Sequence, residues 1–196
     1  MNVQTKRLLE ILHLEITFYA LQMEEVNEFF DELSAWGAHS ASRPLDTRTR
    51  ITFLLKHLDS KEIDLNTYKK QLVFLDKRFE EIKKIKARYY EKVLKELKEL
   101  VRSYSIHVTN IKTITADFEN FLNIRNSCEI IVRELEANGY KKKLNELKQK
   151  IEEADEIFKQ NAEFIAEKFK GFYTGEWDYY PKNFWWRHLK PKGEQQ

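Results

Sequence analysis

LLEILHLEITFYALQMEEVNEFFDEL, residues Leu8 to Leu33, carries the clearest structural signal in the chain. Leu9, Leu12, Ile16, Tyr19, Met23, Val26, Phe30 and Leu33 recur at alternating steps of three and four. That is the seam of an amphipathic helix, not the two-residue alternation of a strand. Such a seam suits an antiparallel bundle as well as a coiled coil, and the short connections later in the chain favour the bundle.

The same pattern continues outward. Gly37 closes the first helix and Ser40 to Pro44 is a small polar loop. Asp46 or Thr47 can cap a shorter helix carrying Ile51, Phe53, Leu54, Leu55 and Leu58, before Asp59 to Glu62 turns the chain. Asn66 then caps the longest element, whose stripe runs from Tyr68 through Leu72, Leu75, Phe79, Ile82, Tyr89 and Val93 to Leu100. Unbroken, it is a rod of about 55 Å. Ile111, Ile114, Phe118, Phe121, Cys128, Val132 and Leu135 mark a fourth helix, and Tyr140, Leu144, Leu147, Ile151, Ala154, Phe158 and Ile165 a fifth, which ends at Gly171. Arg125 lies on the fourth seam, where snorkelling past the core is the simplest reading and a buried pair or an open cleft are the alternatives. Proline is nearly absent before position 181, and three of the five glycines, Gly37, Gly139 and Gly171, fall where helical patterns end. The expectation is an all-α protein: an antiparallel bundle of four to five long helices as one domain over 1–170, followed by an aromatic and basic tail over 171–196.

Composition narrows the function classes. Charged residues are 34% of the chain but the net charge is only +2, so no global field draws it to nucleic acid or acidic membrane. Local basic surface remains, because bases outnumber acids between Asp76 and Arg102, and Lys141, Lys142 and Lys143 form a run. Such runs are more often solvated helix faces. Cys128 is the sole cysteine, which excludes an internal disulfide and a multi-cysteine zinc site and fits a reducing cytoplasm. No apolar run approaches the roughly 20 residues needed to span a bilayer. Glu10 and His13 form one Glu-x-x-His, but a di-iron bundle needs a second such pair and none follows, so no metal is expected. Gly-rich phosphate loops are missing as well, and no cofactor is implied.

The tail differs in composition from everything before it. Trp177, Tyr179, Tyr180, Trp185, Trp186 and Arg187 crowd together with further rings and bases. Three readings stand: the rings wrap over the bundle and are buried, they dock a partner protein or subunit, or they stack on single-stranded nucleic acid or a membrane interface.

The joint at Val101-Arg102-Ser103-Tyr104-Ser105-Ile106-His107-Val108-Thr109-Asn110 carries the chemistry. In an unbroken helix five residues set two side chains about 140° apart. Ser103, Ser105, Thr109 and Thr113, with β-branched Ile106, Val108 and Ile111, predict a kink or short loop that folds His107 back toward Arg102. The plain structural reading is that Arg102 complements the negative end of the long helix and His107 is an idle polar residue. Arg50 and His57, seven apart, form another such pair but more simply flank a core stripe.

A long helix ending in Arg-x4-His, followed by a loop and another amphipathic helix, resembles the HEPN superfamily. The chain looks most like its abortive-infection-type members over residues 45–137, through IDLNTYKKQL and DFENFLNIRNSCEIIVREL. It departs from the family at Ser103, where Asn, Asp or His often follows the arginine, and some relatives with incomplete motifs are thought not to cleave. The resemblance implies metal-independent RNA cleavage at a site assembled across a homodimer, within a defence or toxin–antitoxin system with a cognate antitoxin. Arg102 would stabilise the phosphate and His107 would exchange a proton with the ribose 2′-hydroxyl or the leaving oxygen. Ser103, Tyr104 and Asn110 are then backbone-binding candidates. The competing reading is a non-enzymatic bundle that binds a protein partner through its tail or its long helices.

Overall fold

The computed structural model describes residues 3–30, 40–59, 63–86, 88–113, 118–169 and 178–190, and within them the protein is all-α, with no strand. Expectations for Gly37, Ile114, Gly171 and Trp177 lie outside the described residues. No described helix is long and apolar enough to cross a membrane. The helices are α1 (Val3–Glu28), α2 (Arg43–Asp59), α3 (Asn66–Ile85), α4 (Tyr89–Thr109), α5 (Phe118–Ala137), α6 (Lys141–Gln160) and α7 (Ala162–Lys168), with 3-10 turns at Ile111–Thr113 and Trp185–Arg187. Contacts group them into two compact units, 1–96 and 97–196, so the boundary falls inside α4.

In the first unit α1 buries Leu8, Leu12, Ile16, Tyr19, Met23 and Val26, the seam read from the sequence with Leu8 deeper than Leu9. Arg43 meets Glu25, Thr47 meets Gln22 and Arg50 forks onto Glu15, so α2 runs antiparallel to α1. Lys69 on Asp59 and Arg48 on Asp76 turn α3 back beside it. Tyr19 donates its hydroxyl to Asp76 at 3.0 Å. Burial, and then the charge and hydrogen bond of Asp76, push this phenol well above its ordinary pKa.

The α2 N-terminus departs from the sequence reading. Thr47 lies inside the helix, and the capping group comes from far along the chain. Glu96, only 3% exposed, accepts hydrogen bonds from Ser40 Oγ, the Ala41 amide and the Ser42 amide at 2.9, 2.9 and 3.0 Å. A carboxylate there meets the positive end of the helix dipole and satisfies donors that no intrahelical carbonyl can reach.

The long rod is broken, and the break lies at 86–88. Lys86 turns extended and Arg88 adopts φ 64°. The buried stripe steps from Phe79 and Ile82 to Tyr89 and Val93, and the position between them is filled by Lys86, while Ile85 faces solvent. A helix continued through this point would drive an ammonium into the core. Breaking it instead lets Tyr89 turn inward, where it donates to the Ala41 carbonyl at 2.8 Å and meets Phe79 edge-on.

In the second unit α5 and α6 are antiparallel, since Phe121 meets Phe158, Arg125 meets Asp155 and Glu136 meets Lys148. The fifth periodic segment divides at Asn161, whose amide side chain donates to the Ile157 carbonyl. Phe118 stacks on Phe169 at 4.0 Å, closing the aromatic core from the α7 side. Residues 178–190 lie against α5. Trp186 donates Nε1–H to Asn126 Oδ1 at 2.7 Å, Arg187 reaches Asn123 and Asn126, and Tyr180 accepts from Asn126 Nδ2.

Candidate functional site

The helix runs without a break through the joint. Ser105 Oγ donates to the Val101 carbonyl, His107 Nδ1 to the Ser103 carbonyl, Thr109 Oγ1 to the Ser105 carbonyl and Asn110 Nδ2 to the Ile106 carbonyl, each at 2.8 to 2.9 Å. These side chains return to carbonyls one turn back without opening the ladder. Val101, Tyr104 and Val108 are buried at helical spacing and hold the segment in place, which outweighs the poor helix propensity of its Ser and Thr residues. The helix ends only at Thr109, where the Asn110 amide bonds to both Ile106 and His107 carbonyls and a 3-10 turn follows.

Arg102 and His107 therefore stay about 140° apart. His107 is half-buried, with its ring 6.3 Å from that of Phe121. Nδ1 carries the proton to the Ser103 carbonyl, which leaves Nε2 as the acceptor of the ring. Arg102 is exposed and lines a groove between α4 and α6. The structure does not bring the two together within one copy of the chain.

Nor do the three supporting residues gather at one site. Ser103 is buried with Oγ 3.2 Å from His107 Nδ1. Tyr104 is fully buried and donates its hydroxyl to Asp155 at 2.7 Å, and burial followed by the charge and hydrogen bond of Asp155 raises its pKa well above the ordinary phenol value. Asn110 is exposed and serves the helix end.

The groove beside Arg102 has a volume of about 740 Å³. Lys98, Arg102 and Ser105 line it from α4 at spacings of four and three, and Lys143, Glu146 and Lys150 from α6 at three and four, so each helix presents one face over about 10 Å. Ile106 supplies exposed apolar surface, while Val101 and Leu147 line the groove as buried side chains. Lys150 holds Glu146 at 2.6 Å, and its hydrogen bond and charge, helped by Lys98, keep this carboxyl below its ordinary pKa. Four cations against one carboxylate leave an excess of three positive charges. The sequence signal for this was present in Lys98-x3-Arg102 and in the lysine run ending at Lys143, but only the pairing of α4 with α6 makes one surface of them.

Arg125 resolves as a buried pair and not as a snorkelling side chain. It forks onto Asp155 through Nε and Nη2 at 2.8 Å each and touches Glu129 at 3.3 Å. Its guanidinium stacks 3.9 Å from the ring of Trp186. Burial pulls its pKa down, but the bond to and charge of Asp155 more than offset this and leave the group firmly cationic. Tyr179, Tyr180, Trp186 and Arg187 are buried and Trp185 is half-buried against Phe158, so the described rings of the tail turn into the second unit. Among the described residues no three His, Cys, Asp or Glu side chains are grouped to hold a metal ion.

The chain matches no protein-family model, no curated protein and no solved structure.

Proposed function

We propose that this chain is a HEPN-like helical protein that binds RNA through the groove between α4 and α6, with Arg102 as the central phosphate contact. The observation that carries this reading is the charge balance of the groove, four cations facing one already paired carboxylate along two adjacent helix faces. Lysine and arginine bind phosphodiester chains by releasing condensed counterions, and this gain is independent of sequence. Ile106, half exposed on the α4 face of the groove, offers apolar surface to the face of an unstacked base. In this reading one copy of the chain holds RNA and does not cut it, because its Arg102 and His107 face different neighbours. The HEPN resemblance carries the further expectation of a cytoplasmic defence or toxin–antitoxin role with a cognate antitoxin as partner.

A second reading, metal-independent cleavage, has the His107 tautomer in its favour. With Nδ1–H committed to the Ser103 carbonyl, Nε2 is the atom that accepts a proton. An Arg102 from another copy would have to supply the charge. The ribose 2′-oxygen would lose its proton to Nε2 and attack phosphorus as the P–O5′ bond breaks, and the 5′-oxygen would take a proton from water, giving a 2′,3′-cyclic phosphate and a 5′-hydroxyl end.

Fluorescence anisotropy with a labelled single-stranded RNA separates these readings. Arg102→Ala and Lys98→Ala weaken binding and His107→Ala leaves it unchanged if the groove is the site; absence of binding by the unaltered protein rejects it. RNA incubated with excess protein and a chelator stays intact under the first reading. Cyclic-phosphate products that vanish in His107→Ala establish the second.

A further inference from the structure

The α1 helix has a second apolar face that its own unit does not use. Leu14, Phe18 and Leu21 are 53%, 49% and 56% exposed, and Ile11 continues their line. Their spacing of three, four and three is again a heptad seam. At about 100° per residue the line lies roughly 130° around the helix from the buried seam, so it points away from α2 and α3. Isolated exposed apolar residues are ordinary, and a whole seam of them is not.

The occupant is indicated by the charges at the two ends of that seam. Extended one heptad step in each direction, it reaches Arg7 on the N-terminal side and Glu25 on the C-terminal side. The pattern is symmetric about position 16. An antiparallel copy of the same helix sets Leu14 against Phe18, Ile11 against Leu21 and Arg7 against Glu25. A parallel copy sets Arg7 on Arg7 and Glu25 on Glu25, which like-charge repulsion opposes. The antiparallel pairing also sets helix dipoles head to tail. The same surface then serves both partners, as a two-fold interface requires. Within its own copy Glu25 also meets Arg43 at 3.8 Å.

We propose that α1 is a homodimerisation helix, pairing antiparallel with α1 of a second copy of this chain about a two-fold axis between Leu14 and Phe18. The reading is independent of RNA binding and uses no residue of the α4–α6 groove.

Sedimentation equilibrium of the full chain, from low to high micromolar concentration, is expected to give twice the mass of one chain. Leu14→Glu/Phe18→Glu is expected to give a single-chain mass with unchanged helical circular dichroism, because both positions face solvent in one copy. Charge swaps test the orientation without touching the apolar seam. Arg7→Glu and Glu25→Arg each weaken association several-fold, and the double swap restores it. A single-chain mass at every concentration overturns the proposal, as does a dimer indifferent to the two glutamates. Single swaps without effect overturn the antiparallel pairing.

Discussion

Asp155→Asn tests the buried polar cluster of the second unit. It changes no volume and removes one charge. In the protein as it stands, Asp155 accepts two bonds from Arg125 and one from Tyr104, all between 2.7 and 2.8 Å. Asparagine keeps one oxygen for these three donors and aims an N–H at the guanidinium. Arg125, 5% exposed, would be left with a share of one neutral oxygen, Glu129 at 3.3 Å and the rings of Trp186 and Tyr104. Removing one member of such a pair costs about 3–5 kcal/mol. With an m-value of about 2 kcal/mol/M, the urea midpoint of this unit should fall by about 2 M. Tryptophan emission is the natural probe, since Trp186 sits on the guanidinium. The triple change Tyr104→Phe/Arg125→Met/Asp155→Leu removes the Arg125–Asp155 charges and the Tyr104 donor together, leaving Glu129 to Arg133, and is expected to come within about 2 kcal/mol of the parent or to exceed it. A cost below about 1 kcal/mol for Asp155→Asn would mean that the guanidinium does not depend on the carboxylate. A triple variant as unstable as the single one would move the cause from charge to packing.

Alkaline stability follows from the two buried phenols. Their folded pKa values are raised, so the unfolded chain releases these protons first, near pH 10, and stability should fall above that by up to about 1.4 kcal/mol per pH unit for each tyrosine. Chemical denaturation at pH 9 to 11 checks this, with Tyr19→Phe and Tyr104→Phe each flattening the slope. Glu96→Gln should destabilise the first unit by about 2–3 kcal/mol, since three donors lose a charged acceptor, and faster amide exchange at Ala41 and Ser42 would report it. If all four groove cations contact phosphates, the log–log salt slope for single-stranded RNA should be about −3, a loss of about fifty-fold between 50 and 200 mM salt, and Arg102→Ala should reduce it to about −2. An unchanged slope in that variant would place the RNA elsewhere.

What the sequence revealed and what it hid divide along physical lines. Periodicity is local, so the α1 seam could be read from Leu12, Ile16, Tyr19, Met23 and Val26 directly, and Arg125 stood out as a polar residue on an apolar seam. Its partner could not be read, because Asp155 lies thirty residues away on another helix and nothing local marks it. The Glu96 cap of α2 was hidden for the same reason, with more than fifty residues between donor and acceptor. The break at 86–88 was legible in principle as a lysine on the buried stripe between Ile82 and Tyr89. It was masked by the good helix propensity of the residues around it.

The joint failed in the opposite direction, and the failure changes what an Arg-x4-His motif means here. Serine and threonine disfavour helix when their hydroxyls compete for the backbone. On α4, Ser105 and Thr109 instead reach back to carbonyls of the same helix, while Tyr104 is locked to Asp155 and stacked with Phe121. A kink would have to break that buried anchor. The continuous helix splits the motif between two environments: the arginine faces a groove rich in lysine, and the histidine faces the ring of Phe121. Arg102 acting alone needs only an anionic ligand to have a use, whereas His107 acting as a base needs a phosphate brought to Nε2 by some other cation. The binding reading therefore asks less of this geometry than the cleavage reading does.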